Sequence, residues 1–246
     1  ALFEYSVEHK VPLVFRTGGT SLSGQSITNG ILVDLSQHWD KIGIEKNGAE
    51  VRVQPRIIGA RVNNYLVGFG RKIGPDPSSI SAAMMGGILS NNASGMCCGT
   101  QFNSYHTIRH IRFILPNGNF FSTEIHDDYT RFEKEEGALF EGLLSLRHKI
   151  LGNDVLLQKI RHKYLIKNTI GYALNAFLDY AHPLDIFAHL LIGAEGTLAF
   201  IAEALMETIP DQPFKATAML YFTDIREACK AIEPLAAAGA AMVELM

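Results

Sequence analysis

The chain has 246 residues, of which 47% are hydrophobic and 19% charged, so it can bury a sizeable core without disulfides or metal. Its formal net charge of −3 gives no electrostatic reason to expect nucleic acid or an anionic membrane as the main partner. Its three cysteines, two of them adjacent, form neither a disulfide framework nor a metal-ligand set, and no apolar run approaches the length of a membrane span. We therefore expect a cytoplasmic protein with no metal, no nucleic acid partner and no transmembrane segment.

The two ends of the chain predict a fragment of a longer protein. Ala1 opens a helix-like segment without an initiator methionine, and the chain stops on the apolar, strand-like run 241–246. Because no partner for that strand follows, we expect the natural protein to continue beyond Met246.

The first fifty-odd residues predict a small α/β unit. Residues 2–10 are helix-like, and Asn47-Gly48 is a hairpin dipeptide. Four short apolar runs predict strands, at 12–15, 31–35, 42–45 and 51–54.

The rest of the chain alternates between helical and strand patterns. Residues 57–69 predict a helix that stops at Gly70, and 134–162 predict one long amphipathic helix. Strands are predicted at 111–115 and 120–123, joined by a hairpin turn. A β-β-α-β unit is predicted at the end, from strands at 198–209 and 216–222, a helix at 225–238 and the run 241–246.

A first glycine-rich loop, residues 15–26, follows a predicted strand. Gly18, Gly19 and Gly24 let its backbone approach a ligand closely, and Arg16 supplies one permanent charge. Consecutive N–H groups in such a loop form a nest that fits a pyrophosphate. The sequence is neither a P-loop nor a G-x-G-x-x-G fingerprint. Taken alone, the loop is also consistent with a plain surface turn.

A second loop, residues 74–100, consists largely of small side chains. Prolines fix its entry, and Ser78 is predicted to cap a short helix that follows. We expect this stretch to form a wall for a flat aromatic ligand, and we interpret Cys97 and Cys98 as inert small hydrophobes.

A third loop interrupts the apolar run 190–204 at Gly193-Ala194-Glu195-Gly196, which presents backbone and Glu195 at an edge. Taken singly, such a break is most often a bend. The three loops together, and not any one of them, indicate a ligand-binding site.

Four motifs in order along the chain carry a family resemblance: R-x-G-G-T-S-x-x-G at 16–24, G-P-D-P-S at 74–78, G-G-x-x-x-x-N-x-x-G at 86–95 and G-A-E-G-T-L at 193–198. Together they resemble flavoproteins of the vanillyl-alcohol oxidase type, whose FAD-binding fold is the PCMH domain. The nearest likeness is to D-lactate, glycolate and D-2-hydroxyglutarate dehydrogenases, especially long bacterial proteins that append an iron–sulfur region. The resemblance implies an α+β fold of two FAD-binding subdomains, residues 1–55 and 56–210, followed by the start of a ferredoxin-like substrate domain, residues 211–246.

The resemblance also implies which residues meet the cofactor. The first loop would hold the pyrophosphate, the second would line the path of adenosine, pyrophosphate and flavin, and the third would lie on the adenine and ribose side. The implied residues are Arg16, Thr17, Gly18, Gly19, Thr20, Ser21, Gly24, Gln25, Pro75, Ser78, Gly87, Asn91, Ser94, Gly95, Glu195, Gly196 and Ile201.

Two departures from the family pattern bear on the flavin. Relatives that bind it covalently often carry a histidine in the first loop, where this chain has Thr20 and no histidine between His9 and His38. We therefore expect noncovalent FAD. Gln101-Phe102-Asn103 stands where many relatives have an aromatic–glycine pair.

The implied activity is oxidation of a small D-2-hydroxy acid by hydride transfer to flavin. The catalytic residues are unknown, since the base and the carboxylate-binding arginines are expected after Met246, and the fragment alone should be nearly inactive. Any iron–sulfur cluster would lie outside this chain, the electron acceptor is open, and the full-length protein is either cytoplasmic or peripheral at the inner membrane. Another FAD oxidase or reductase of the same fold and a non-catalytic nucleotide-binding module remain alternatives.

Overall fold

The computed structural model describes residues 1–245. The chain divides into two compact units, Ala1–Pro210 and Asp211–Met246.

The first unit begins with one helix and a small parallel sheet. Helix α1 (Leu2–His9) ends where Lys10 adopts a left-handed conformation, and β1 (Leu13–Arg16) pairs in parallel with β2 (Ile31–Asp34). The apolar side of this pair packs on the larger sheet, since the rings of Phe15 and Phe200 lie 4.6 Å apart. The first loop leaves the end of β1 and returns to the start of β2.

The larger sheet has six strands, and all its neighbours are antiparallel. Its order is β3-β4-β8-β6-β7, with β5 on the far end of β8. The strands are β3 (Ile42–Glu45), β4 (Glu50–Val53), β5 (Arg71–Ile73), β6 (Ile108–Ile114), β7 (Phe120–Ser122) and β8 (Phe200–Pro210).

Helices cover one face of this sheet, whereas the opposite face packs against β1–β2 around Phe200 and carries a charged cluster around Arg52. Phe113 on β6 lies 5.2 Å, ring to ring, from Phe187 on a covering helix. On the opposite face Arg52 emerges between the buried Val51 and Val53, because side chains alternate along a strand. The helices of the first unit are α2 (Gly59–Leu66), α3 (Met85–Asn91), α4 (Ser104–Thr107), α5 (His126–Glu135), α6 (Gly137–Leu151), α7 (Asp154–Lys163), α8 (Ala176–Asp179) and α9 (Pro183–Leu190).

Both predicted hairpins are confirmed, and so is the helix that stops at Gly70, which adopts a left-handed cap with φ 65°. The hairpin β3–β4, assigned from the sequence to the first subdomain, pairs with β8 and so belongs to the larger sheet. The single helix predicted at 134–162 is wrong. The chain bends at Glu136-Gly137, and Asn153 caps a new helix by accepting from the N–H of Leu156 at 3.0 Å.

Residues 211–245 of the second unit contain one helix, α10 (Ile225–Ala237), which Asp224 caps by accepting from the N–H of Arg226 at 2.6 Å. The strand predicted at 216–222 is wrong, since residues 211–223 form neither helix nor strand. A strand requires a neighbour to pair with, and the described part of this unit offers none. Residues 241–245 are likewise not a strand, and Met246 lies outside the described residues.

None of the helices in residues 1–245 has both the length and the apolar composition to cross a bilayer.

Candidate functional site

The first loop presents its backbone donors to the outside. In the part of the chain that the structure describes, no backbone N–H of residues 18–24 donates to a protein acceptor, and Thr20 and Ser21 are exposed. Arg16 folds back beneath the turn, so that a Cβ added at Gly19 (φ 61°) would lie 2.8 Å from its Nε. Unpaired amides beside a permanent positive charge form a nest for an anion.

The first loop rests directly on the second. A Cβ added at Gly18 would lie 2.6 Å from the carbonyl oxygen of Ala82, and one added at Gly87 would lie 3.0 Å from Thr17 Oγ1. The approach at Gly18 requires the absence of a side chain, because its neighbour is backbone, and the approach at Gly87 is tight against a side chain. The glycines therefore serve close packing of the two loops as well as the nest.

The second loop is closed on itself by Asp76. The N–H of Asp76 donates to the carbonyl of Ser94 at 2.8 Å, and the N–H of Cys97 donates to Asp76 Oδ2 at 3.1 Å. Gly95, at φ 90°, passes so close that an added Cβ would lie 2.1 Å from the Asp76 carbonyl oxygen. These contacts fix the path between Pro75 and Cys97.

The predicted role of Ser78 as a helix cap is wrong. Ser78 lies in an exposed turn, and α3 begins at Met85, with Met84 as its N-cap. The first N–H groups of α3 are satisfied by preceding backbone, since Met85 donates to the carbonyl of Ile57 at 2.8 Å and Gly86 to that of Pro55 at 2.9 Å. A side-chain cap is therefore not needed.

The third loop is attached to the end of α3. The N–H of Gly193 donates to the carbonyl of Leu89 at 3.2 Å, and that of Glu195 donates to the carbonyl of Ser90 at 2.8 Å. The side chains also meet, because Asn91 Nδ2 donates to Glu195 Oε1 at 2.5 Å. All three glycine-rich loops thus converge on α3.

Asn92 was not among the predicted site residues, but it holds this convergence together. It is buried, its Oδ1 accepts from the N–H of Tyr105 at 3.2 Å, and its Nδ2 donates to the carbonyl of Asn168 at 3.3 Å. The motif G-G-x-x-x-x-N contains this residue, so its spacing could have identified it. Its position in the core indicates a structural role.

Sequence reasoning also missed a fourth segment, residues 164–174. Lys167 Nζ donates to the carbonyl of Gly95 in the second loop. The hydroxyl of Tyr172 lies 2.9 Å from Thr197 Oγ1 in the third loop, and that of Tyr164 donates to the Tyr172 carbonyl at 2.9 Å. The segment ties the second loop to the third. No glycine-rich pattern marks it, apart from Gly171.

The predicted cofactor residues differ in how they are exposed. The most exposed are Arg16, Gly19, Thr20, Ser21, Gly24, Gln25, Ser78 and Gly196, and a partly exposed group lies at the contact between loops: Thr17, Gly18, Gly87, Asn91, Gly95 and Glu195. Three are buried, namely Pro75, Ser94 and Ile201, of which Ile201 lies on β8 and packs in the core.

The two cysteine thiols of the second loop have pKa values above their usual range. Burial raises the pKa of Cys98, and it raises that of Cys97 with a further contribution from Asp76. Among residues 1–245 no group of three or more His, Cys, Asp or Glu side chains could hold a metal ion.

These features fit a dinucleotide such as FAD. The unpaired amides of residues 18–24 and the guanidinium of Arg16 suit a diphosphate, and the close contacts at Gly18 and Gly87 hold the first loop against the start of α3. Asn91 lies one turn after Gly87 on the same face of α3 and adds a polar amide there.

The profile of the family described as FAD binding domain matches residues 1–124, just over half of the chain. D-2-hydroxyglutarate dehydrogenase of Pantoea ananatis is 31% identical over 208 residues, which cover 80% of this chain and 20% of that protein. Glycolate oxidase subunit GlcD of Bacillus subtilis is 24% identical over 233 residues, 94% of this chain and 39% of that protein. The chain therefore spans only a minor part of these relatives.

Solved structures share the fold. 6-Hydroxy-D-nicotine oxidase from Arthrobacter nicotinovorans superposes with a TM-score of 0.52 at 13% identity, over 85% of this chain and 33% of that one. An alkyldihydroxyacetonephosphate synthase superposes with a TM-score of 0.51 at 16% identity, over 85% of this chain and 29% of that one. The predicted α+β fold of the PCMH type is confirmed.

Proposed function

Since the chain belongs to the FAD binding domain family, we propose that its three converging loops hold FAD noncovalently, and that the protein containing them oxidises a D-2-hydroxy acid by hydride transfer to the flavin. The observation that carries the proposal is the row of unpaired N–H groups in residues 18–24, held against the second loop beside Arg16. A folded loop that leaves its amides unpaired in this way offers them to an anion.

Each loop has its own part in holding the dinucleotide. The first would bind the diphosphate through backbone amides and hydroxyls, from Thr17 to Ser21 with Gly24 and Gln25. The second would line the path of the cofactor with Pro75, Ser78, Gly87, Asn91, Ser94 and Gly95. The third would lie on the adenine and ribose side with Glu195 and Gly196, and Ile201 would support it from within the core.

Noncovalent attachment is supported by the first loop itself. It carries hydroxyls and amides, and Thr20 stands where covalently flavinylated relatives often have a histidine. When bound, FAD accepts the hydride that the α-carbon of the substrate gives up. The residues of this chain bind and orient the cofactor and exclude water from it.

The substrate class is supported by the names of the relatives, which are dehydrogenases or oxidases of D-2-hydroxyglutarate, glycolate and D-lactate. We propose that the base and the carboxylate-binding groups come from sequence beyond Met246. The divisions at residues 55 and 210, the beginning of a substrate domain at 211–246 and the cytoplasmic location stay predictions.

The cofactor proposal is tested by titrating the purified chain with FAD and following flavin fluorescence and visible absorption. We expect saturable binding of FAD and much weaker binding of FMN, which lacks the diphosphate bridge and adenosine. Acid precipitation should release all the flavin into the supernatant. A chain that binds neither flavin, or FMN as well as FAD, contradicts the proposal, and flavin that stays with the precipitate contradicts noncovalent attachment.

The substrate proposal needs the full-length protein. Anaerobic mixing with D-2-hydroxyglutarate, D-lactate or glycolate should bleach the flavin band with one of them, and L-2-hydroxyglutarate and L-lactate serve as matched controls. Bleaching by an L-enantiomer, or by none of the acids, contradicts it.

A further inference from the structure

Glu195 adopts a backbone conformation that is unfavourable for its residue type. Its φ is 53°, in the left-handed region, between Gly193 at φ 92° and Gly196 at φ 75°. A residue with a Cβ incurs a conformational cost there, and such outliers persist where surrounding contacts hold them. Its neighbours Gly193 and Gly196 could adopt these angles freely, so the glutamate at 195 needs an explanation.

Two contacts with the end of α3 hold Glu195 in this conformation. The backbone N–H of Glu195 donates to the carbonyl of Ser90 at 2.8 Å, while its Oε1 accepts from Asn91 Nδ2 at 2.5 Å. Main chain and side chain of one residue thus bind two consecutive residues of α3. Both contacts form with Glu195 in the left-handed conformation.

The second contact fixes the orientation of the Asn91 amide. A carboxylate oxygen can only accept hydrogen bonds, so the amide must turn its NH2 group toward Glu195. The carbonyl Oδ1 then faces away from Glu195, and within residues 1–245 no donor reaches it. Asn91 therefore offers a free acceptor one helical turn after Gly87, where the first loop contacts α3.

We propose that Glu195 is a positioning residue that holds Asn91 with its carbonyl toward the cofactor, so that Asn91 accepts a hydrogen bond from a hydroxyl or N–H donor of the dinucleotide. This inference rests on the proposed binding of FAD. In this role Glu195 acts through Asn91 and not through a contact of its own with the ligand. Its role is to prevent the amide from turning over, which would present a donor where the ligand also has one.

A reciprocal pair of substitutions tests this. Glu195→Gln allows either orientation of the Asn91 amide, because a glutamine amide can accept or donate. We expect the affinity for FAD to fall about threefold to tenfold, that is by up to about 1.4 kcal/mol. Asn91→Asp places two carboxylates against each other and should weaken binding by more than about tenfold.

The double variant Glu195→Gln with Asn91→Asp should recover the wild-type affinity to within about threefold. In it the new glutamine NH2 donates to the new carboxylate, whose second oxygen still offers an acceptor to the cofactor. The total charge of the pair is the same as in the wild type. Glu141→Gln on the exposed face of α6 is the matched control and should bind FAD like the wild type.

Thermal unfolding without FAD separates positioning from simple support of the fold. The melting temperature of Glu195→Gln should lie within about 2 °C of the wild type while its affinity for FAD falls. Parallel losses of melting temperature and affinity, or a double variant no better than Asn91→Asp, overturn the inference. Titrations with ADP and with FMN show which half of the dinucleotide carries the donor.

The failure of this inference differs from that of the proposed function. A wild-type chain that takes up no FAD removes the function and this inference with it. A wild-type chain that binds FAD, with all three variants equal to it, overturns the positioning role alone.

Discussion

Gly18 faces the carbonyl oxygen of Ala82 so closely that a Cβ at Gly18 would lie 2.6 Å from that oxygen. The neighbour is backbone, which cannot rotate away as a flexible side chain could. The seating of the first loop on the second therefore depends on the absence of one methyl group, and the nest of unpaired amides depends on that seating.

Gly18→Ala should lower the affinity for FAD by at least about tenfold and destabilise the chain by about 1–3 kcal/mol, the usual cost of overpacking. The first loop must move away from Ala82 to admit the methyl group, which misaligns its amides. Titration with FAD and urea unfolding measure the two effects.

The matched control is Gly142→Ala, in the middle of α6. An added Cβ there meets nothing within 4 Å, so this substitution should leave FAD binding unchanged and stabilise the helix by about 0.5–1 kcal/mol. Equal effects of Gly18→Ala and Gly142→Ala on binding would show that the contact with Ala82 does not position the loop.

The motifs made the three loops predictable, because close approach of two backbone segments requires glycine, and glycine is visible in the sequence. Gly18, Gly87 and Gly193 each sit where another loop passes nearby. The left-handed cap at Gly70 was predictable for the same reason. At these positions the residue type alone predicts the backbone conformation or the close contact.

Features that depend on distant partners were not predictable. Backbone of residues 55–57 replaced the cap expected from Ser78, since the sequence gives no sign that this segment lies at the start of α3. The contacts of Lys167 and Tyr172 to two loops join residues 72 and 25 positions apart. The strand expected at 216–222 needed a pairing partner that the described chain does not supply.

Arg52 joins three carboxylates on the charged face of the sheet, those of Glu45, Glu124 and Glu203, at 2.7, 2.8 and 3.2 Å. Arg52→Met should destabilise the protein by about 1–3 kcal/mol at pH 7, between the costs of exposed and buried pairs, because three negative groups lose their common partner. Urea unfolding measures it. Arg109→Met, which removes one exposed pair with Glu207, should cost at most about 1 kcal/mol.

The same cluster predicts a pH dependence. Hydrogen bonds from Arg52 hold the pKa of Glu124 below its usual range. The stability that this pairing contributes is present above the unfolded pKa near 4.5 and is lost as the pH falls through the folded pKa. The difference in stability between wild type and Arg52→Met should therefore shrink from pH 7 toward pH 3. A constant difference over that range contradicts the assignment.

Asn92 combines a left-handed backbone, φ 50°, with two buried hydrogen bonds. Asn92→Ala should destabilise the chain by about 2–4 kcal/mol, because the N–H of Tyr105 loses its acceptor and alanine disfavours this φ. Asn92→Gly, which also loses the hydrogen bonds but tolerates the backbone, should be the less damaging by about 1 kcal/mol in urea unfolding. Equal losses would show that backbone strain plays no part.

His189 is buried, with 6% of its surface exposed, and stacks on Tyr180 with ring centroids 3.8 Å apart. Its Nδ1 lies 2.9 Å from the carbonyl of Asp185, which can only accept, so Nδ1 carries the proton of a neutral ring. Burial lowers the pKa of His189 below the usual 6.5, since a charged ring would be poorly solvated there. His189 therefore binds a proton near pH 6.5 in the unfolded chain, but only at a lower pH in the folded chain.

Stability should therefore fall as the pH drops from about 6.5 toward the folded pKa of His189, by up to about 1.4 kcal/mol per pH unit for this one group. Burial lowers the pKa of His182 as well, so part of the slope should remain in His189→Gln. Urea unfolding between pH 7.5 and 5 compares this variant with the wild type and with His9→Gln at an exposed position. The wild type and His9→Gln should show parallel slopes, and His189→Gln a shallower one. If all three slopes coincide, protonation of the buried His189 ring does not destabilise the fold. The packing against Tyr180 then does not require a neutral ring.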